Sequence, residues 1–370
     1  MPHVVETLLR RRLHNQRLAR SGFRASTSLE AGRPADVVGW LGAVQAQDYP
    51  AAKWALGLRA PGLTDEDVET AFSEGTILRT HVLRPTWHFV TPADIRWMLA
   101  LTGPRIHRTS GPYRRALGLD DAILKRSRAA IERALRDGKQ LTRAELGSSL
   151  RRGGIETNSQ ALAQVMLHAE LDGIVCSGAR RGKQFTYALL EERAPRGRIV
   201  TRDEALGQLA RRYFASHGPA TSLDYGWWSG LVVGDARRGI EIAGRDLERR
   251  VIDGRTYWSA GPSGAVPRRA GGAHLLPNYD EYLVAYRDRD ALVGPSGRRA
   301  AATPRGSDVF AHSLLVDGRL AGSWTRTHRR DGVTVDVVPY RRLTPGDRRA
   351  VADAAERYGR FMRQAVTCVT

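Results

Sequence analysis

Two glutamines stand one residue apart in "GAVQAQDYPA", and Asp48, Tyr49 and Pro50 follow at once. An amide side chain does not ionise near neutral pH; it offers one carbonyl acceptor and two N–H donors. Gln45 and Gln47 can therefore orient a water, hold a phosphate oxygen or set a dipole against a developing charge, as preorganised electrostatics requires. They cannot take or give a proton. Asp48 is the conventional alternative, a carboxylate able to activate water, and it is equally suited to cap the turn before Pro50. On residue type alone, polar side chains closing a helix are the ordinary reading of all three. Spacing adds a constraint: at i and i+2 of an ideal helix two side chains diverge by about 200°, and they share a side only in an extended segment. Pro50 turns Tyr49 away from helical angles, so the pair is expected at a helix terminus or irregular turn, not mid-helix.

The elements that must position this pair form a loosely repeated pattern of helices followed by two short strands. In residues 1–115, one helix is expected over 4–20, a second from Pro34 to about Gln45, and a third after Thr64, where Thr64 and Asp67 read as a capping box. The β-branched and aromatic stretch "TILRTHVLRPTWHFV" then reads as two strands turning at Arg84 and Pro85, with a helix after Thr91. Residues 116–195 repeat the pattern most clearly. "LDDAILKRSRAAIERAL" is amphipathic, Thr142 and Glu145 cap a short helix, Asn158 opens a third, and "IVCSGARRGKQFTYALL" is strand, basic turn, strand. Three helices and a hairpin describe a winged helix. Residues 196–268 repeat it again, with Thr201/Glu204 and Thr221/Asp224 as capping boxes and a hairpin around Asp253-Gly254. From 269 to 370, "HLLPNYDEYLVAYRDR", "HSLLVDGRLAGSWTRT" and "GVTVDVVPYRRL" read as strands of a small barrel or sandwich, closed by a helix capped by Thr344 and Asp347. The fold class expected is α+β: three tandem winged-helix units, a small C-terminal β-barrel and a closing helix.

Composition narrows the partner. The 370 residues carry 58 basic against 39 acidic side chains, a formal net charge of +19, and nearly all the basic ones are arginine. A high-GC coding habit accounts for arginine in place of lysine but not for the excess of positive charge, which favours a polyanion, nucleic acid first. The third helix of the second unit, "NSQALAQVMLHAELDG", carries Glu170 and Asp172 and no arginine, so it is a poor reader of a DNA groove. Basic residues sit instead at expected turns and loops: Arg84, Arg180, Arg181 and Lys183, and Arg298 and Arg299 in the Gly/Pro-rich stretch 292–306. They suit phosphate contacts that position DNA without reading its sequence. Cys176 and Cys368 have no paired spacing, so no disulfide framework or zinc site is expected; His81 and His88 lack a third ligand. No cofactor and no metal are expected. No apolar run approaches the roughly 20 residues of a membrane span, and the N-terminal stretch lacks a signal-peptide pattern. The expectation is a cytoplasmic monomer whose partner is duplex DNA.

"AVQAQDYPAAKWAL" (43–56), "HVLRPTWHFV" (81–90) and "LLPNYDEYLVAYRDR" (275–289), in this order, resemble the AlkZ/YcaQ family of bacterial winged-helix DNA glycosylases over nearly the whole chain. The resemblance implies tandem winged helices and a β-barrel, C-shaped around a basic cleft for duplex DNA, with a hairpin projecting into it. Residues 292–306 are the leading candidate for that hairpin, and the wing at 178–184 is the competitor. It also implies that the family's catalytic signature, glutamine-any-glutamine or aspartate, falls on Gln45 and Gln47. The second glutamine resembles the AlkZ branch, self-resistance enzymes that remove N7-alkylpurines and unhook azinomycin-type interstrand crosslinks; YcaQ-like members carry aspartate there.

Two amides suit that chemistry. Alkylation at N7 makes the purine cationic and a good leaving group, so no general acid is required. What remains is an oxocarbenium-like sugar and an attacking water, both addressable by oriented dipoles. Trp87 and His88 could face the lesion, although an aromatic residue in a strand is more often core. The rival expectation is a non-enzymatic winged-helix DNA-binding protein, a regulator or lesion-sequestering factor.

Overall fold

The computed structural model describes residues 2–19, 33–194, 196–261, 272–297 and 311–370. Helix α1 (Pro2–Asn15) is followed by α2 (Pro34–Leu41), the two-residue strand β1 (Val44–Gln45), α3 (Tyr49–Arg59), α4 (Asp65–Glu74), the hairpin β2 (Leu78–Val82) and β3 (Thr86–Val90), and the long α5 (Pro92–Ala116). The next run is α6 (Asp121–Leu135), β4 (Leu141–Thr142), α7 (Arg143–Arg152), α8 (Ser159–Leu171), β5 (Val175–Ser177), β6 (Thr186–Leu189) and the single turn α9 (Leu190–Arg193). The third comprises α10 (Arg202–Ser216), α11 (Ser222–Ser229), α12 (Val233–Ala243), β7 (Leu247–Ile252) and β8 (Arg255–Ala260). Helices followed by an antiparallel hairpin thus recur three times.

Local chemistry explains most boundaries. Thr64, Thr142, Thr201, Thr221 and Thr344 each accept from the backbone three residues on, while the Asp or Glu there reaches back to the threonine's own N–H. The β7–β8 turn is Asp253-Gly254, with φ of 47° and 73°, the positive pair that a two-residue hairpin loop demands. The expected helix from Pro34 to Gln45 is shorter, however. It stops at Leu41, where Gly42 takes φ 86°, and Val44 and Gln45 become a strand paired to Phe89 and His88.

The C-terminal part corrects the sequence reading. Strands β9 (Ala273–Leu276), β10 (Ser313–Val316), β11 (Arg319–His328), β12 (Val333–Pro339) and β13 (Val366–Val369) form one open sheet, ordered β13-β12-β11-β10-β9. Among the described residues these strands do not close into a barrel. Closure is unnecessary because helices cover both faces. Leu275, Leu314, Trp324 and Val335 pack with Trp54 of α3 and Val351 and Tyr358 of α15 (Pro345–Met362). On the other face, Leu276, Leu315 and Leu320 pack with Leu8, Leu9 and Leu13 of α1. "HLLPNYDEYLVAYRDR" is a strand only to Leu276; after Pro277 the chain turns through Tyr279 at φ 58° into the one-turn helix α13 (Glu281–Val284). The stretch 292–306, expected as an exposed hairpin, begins inside α14 (Asp290–Gly297). Its remainder, including Arg298 and Arg299, lies outside the described residues.

Besides the core between α1 and the sheet, two other cores among the described residues tie distant segments together. One joins α2, α3 and α4 to the C-terminal sheet. Another joins β2, β3 and α5 to α10, α11 and α12 and to Ala285 and Tyr286. The α13 turn is anchored by a buried ion pair: Arg59 holds both carboxylate oxygens of Asp280 at 2.8 Å, and both side chains are fully buried. Removing one partner strands the other charge in the interior. Asp280→Ala is therefore expected to cost about 3–5 kcal/mol, read as a lowered urea midpoint. A loss below about 1 kcal/mol would show that this pair does not fix α13.

Candidate active site

Strand β1 places the glutamine pair. Because Val44 and Gln45 are extended and Ala46 N–H continues the pairing to Trp87 O at 2.7 Å, alternate side chains share a side. Ala46 points into the core, and Gln45 and Gln47 are released from the divergence an ideal helix would impose. Gln45 is buried and Gln47 exposed. Asp48 caps α3 by accepting from Ala51 N–H at 3.2 Å, and its second oxygen accepts from Asn278 at 2.9 Å. Both carboxylate oxygens are thus engaged in holding α3 to the loop after β9.

Gln45 lies between two charges. Arg84, in the β2–β3 turn, donates to its Oε1 at 2.8 Å, and its own backbone N–H donates to Glu281 Oε1 at 2.9 Å. Gln47 Oε1 accepts, at a long 3.4 Å, from Trp87 N–H. Among the described residues neither glutamine's amide nitrogen has a partner.

Glu281 is fully buried, and three elements converge on it. Trp228 of α11 donates its indole N–H to Oε2 at 2.9 Å, His217 at the end of α10 places Nε2 3.5 Å from the same oxygen, and Gln45 supplies the third contact. Burial alone would raise its pKa. Contact with His217 and the Gln45 amide overcome this and hold it at about 2, so the carboxylate is ionised at neutral pH. His88, opposite Gln45 in the sheet, is also fully buried. Burial, with Arg84 nearby, pushes its pKa down to about 3. Its Nδ1–H donates to Thr86 O at 2.9 Å while Nε2 has no partner. Neither an ionised carboxylate nor a neutral imidazole of this kind can deliver a proton at neutral pH. Arg84 forms no ion pair among the described residues, its Nε is buried without a partner, and burial lowers its pKa against the pull of Glu281.

The expected basic residues separate. Arg180 is turned inward, its guanidinium over the Tyr49 and Phe185 rings at 4.9 and 5.2 Å and 3.4 Å from Glu69; it braces the wing against α3 and α4. Arg181 is exposed and pairs with Glu145 at 2.8 Å; Lys183 is exposed at the tip. Helix α8 does not present a reading face: Glu170 is buried, accepting from His81 N–H at 3.1 Å and contacting its ring. Trp87 is half-buried, with Arg79 over its ring at 4.3 Å. The site residue that the sequence did not single out is Glu281. It lies in "NYDEY", where two adjacent acids carry no spacing pattern that sets one apart.

A family model described as "DNA glycosylase AlkZ-like" matches residues 38–361. An interstrand DNA cross-link repair glycosylase of Streptomyces sahachiroi is 26% identical over 306 residues, covering 78% of this chain and 81% of that protein. The solved structure of Streptomyces sahachiroi DNA glycosylase AlkZ superposes with a TM-score of 0.77 at 22% identity, covering 98% of this chain and 99% of that one.

Proposed function

The chain belongs to the AlkZ-like DNA glycosylase family, and from that premise we propose that it hydrolyses the N-glycosidic bond of cationic N7-alkylated purines in duplex DNA, interstrand crosslinks included, in alkylation repair or antibiotic self-resistance. The observation that carries this reading is that, among the described residues, the side chains in contact with Gln45 and Gln47 include no acid poised to give up a proton at neutral pH. His88 is neutral and Glu281 ionised, so the base must leave without being protonated. An N7-alkylpurine does so: the electrons of the breaking C1′–N9 bond neutralise its ring charge. A water oxygen then bonds to C1′ and sheds its proton to solvent.

Gln47, exposed just past the end of β1, is the amide that meets the sugar and the water. Gln45 stands behind it, and the Glu281 charge one hydrogen bond away favours the positive charge developing at C1′. Arg84 takes a DNA phosphate, which neutralises its charge and frees Gln45 Oε1 to turn toward the sugar. Asp48 stays a capping residue. Arg181 and Lys183 at the wing tip add phosphate contacts; Arg298 and Arg299 belong to the same proposal from sequence alone.

We read residues 1–115, 116–195 and 196–268 as winged-helix units and 269–370 as the sheet and closing helix, arranged in a C-shape around a basic cleft, in a monomer acting in the cytoplasm. No helix among the described residues is long and apolar enough to cross a membrane. The non-enzymatic alternative loses its ground with the family.

The substrate assignment is tested with a duplex carrying a single N7–N7 crosslink, resolved on a denaturing gel beside an N7-methylguanine duplex. The reading expects crosslinked material to convert to separated strands bearing abasic sites, and free N7-methylguanine to appear. Monoadduct release with the crosslink untouched would confine the activity to monoadducts.

A further inference from the structure

Outside the glutamine site, one cluster of side chains among the described residues has the donor set of a metal centre. His168 and Asp172 lie one turn apart at the end of α8, where i and i+4 side chains are neighbours. His107 reaches them from α5. The two helices can approach because α5 carries Gly103 at their contact: a Cβ there would lie 3.3 Å from Leu171 O. Asp172 Oδ1 is 2.9 Å from His107 Nε2, Asp172 Oδ2 is 3.1 Å from His168 Nδ1, and the two rings are 4.6 Å apart. A single ligand atom from each of the three residues falls within 4.8 Å of the others.

His107 Nε2 is buried and, despite its closeness to Asp172, is not aligned for a hydrogen bond. An unaligned ring nitrogen beside a carboxylate and a second imidazole is what an ion would complete. We propose that His107, His168 and Asp172 bind a divalent transition-metal ion of the zinc class.

Two imidazoles and one carboxylate are ligands that zinc accepts, with bonds of about 2.0–2.2 Å. Tetrahedral coordination at those lengths sets neighbouring donors about 3.3 Å apart, so the two carboxylate–imidazole separations must open by a few tenths of an ångström and the widest donor separation, within 4.8 Å, must close. All three side chains keep between 23% and 30% of their surface exposed, which leaves a fourth position for water. The competing cation is Arg114; it is turned to Ser110 Oγ at 2.7 Å and His107 O at 3.2 Å. Because α5 and α8 belong to different helix-hairpin segments, the ion would bolt the segment carrying Gln45 and Gln47 to the one carrying the wing. It takes no part in base excision.

The test uses the full chain without a histidine tag, stripped with EDTA, mixed with zinc chloride and desalted for metal analysis. One retained equivalent is expected, with binding at least about tenfold weaker in His107→Ala and in His168→Ala. Base release by both variants should stay at the parent level. In the unmodified protein, zinc should also protect His107 and His168 from diethylpyrocarbonate, so the assignment does not depend on the variants folding. No retained zinc, retention unchanged in the double variant, or equal labelling of both histidines with and without zinc would overturn it.

Discussion

Gln47→Ala is expected to release N7-methylguanine from duplex DNA at least about a hundredfold more slowly than the parent under single-turnover conditions, with DNA affinity nearly intact. Gln47 is exposed, and the one hydrogen bond described for it is a long contact to Trp87 N–H, so its loss leaves the fold untouched. Gln45→Ala should lose as much activity for two reasons: it removes the amide and deprives Arg84 of its hydrogen-bond acceptor. Affinity separates the roles, since a residue that only positions DNA would weaken binding in step with release. Gln47→Asp is expected to retain much more activity than Gln47→Ala, because a carboxylate can also orient the water and oppose the developing charge. Its rate should fall as acid protonates the new carboxylate, a pH dependence that the amide cannot confer. If Gln47→Ala and Gln47→Asp behave alike, Gln47 is not at the reacting centre.

The second large effect is assigned to Glu281. Glu281→Ala leaves the Gln45 backbone N–H and the Trp228 indole N–H without their buried acceptor, each worth about 1–3 kcal/mol, and should unfold at markedly lower urea. Glu281→Gln is the informative variant. It keeps the size and an acceptor, and removes the charge. Slower chemistry with unchanged affinity is expected from it, whereas a purely structural role would leave the rate of any folded Glu281→Gln protein unchanged. The same residue gives an acid dependence. Its pKa in the folded protein is held at about 2, below the ordinary 4.5, so it favours the folded state above pH 4.5. That stability is lost progressively as the pH falls from 4.5 toward 2. Unfolding followed across that range should show a steeper acid loss in the parent than in Glu281→Gln.

What the sequence disclosed follows from how local each feature is. The capping boxes, the Asp253-Gly254 turn and the helix-hairpin rhythm are written within a few residues of one another, and the structure holds them where expected. The glutamine pair was legible through its motif, and its difficulty, two side chains split by a helix, dissolves because β1 is extended. That strand exists only because β3 offers Phe89, His88 and Trp87 as partners, a pairing across 41 to 45 positions that no local pattern announces. The barrel was misread for a similar reason. Alternating strands do not say whether a sheet closes on itself or is covered, and here α1, α3 and α15 cover it. Glu281 reaches Gln45 across 236 positions, and His107 meets Asp172 from another helix; such contacts are set by packing. Arg180 shows the converse, a basic turn residue whose guanidinium lies over aromatic rings that no local pattern places beside it.

The account rests on a leaving group that carries its own positive charge, and the most direct measurement varies that charge alone. Single-turnover base release is followed on duplexes identical except for one lesion, N7-methylguanine in one and neutral hypoxanthine in the other. The cationic base is expected to be released and the neutral base retained, at any pH where His88 stays neutral and Glu281 ionised. Release of hypoxanthine at a comparable rate would mean that the site delivers a proton. It would contradict the two-amide mechanism and return Asp48 to the centre of the chemistry.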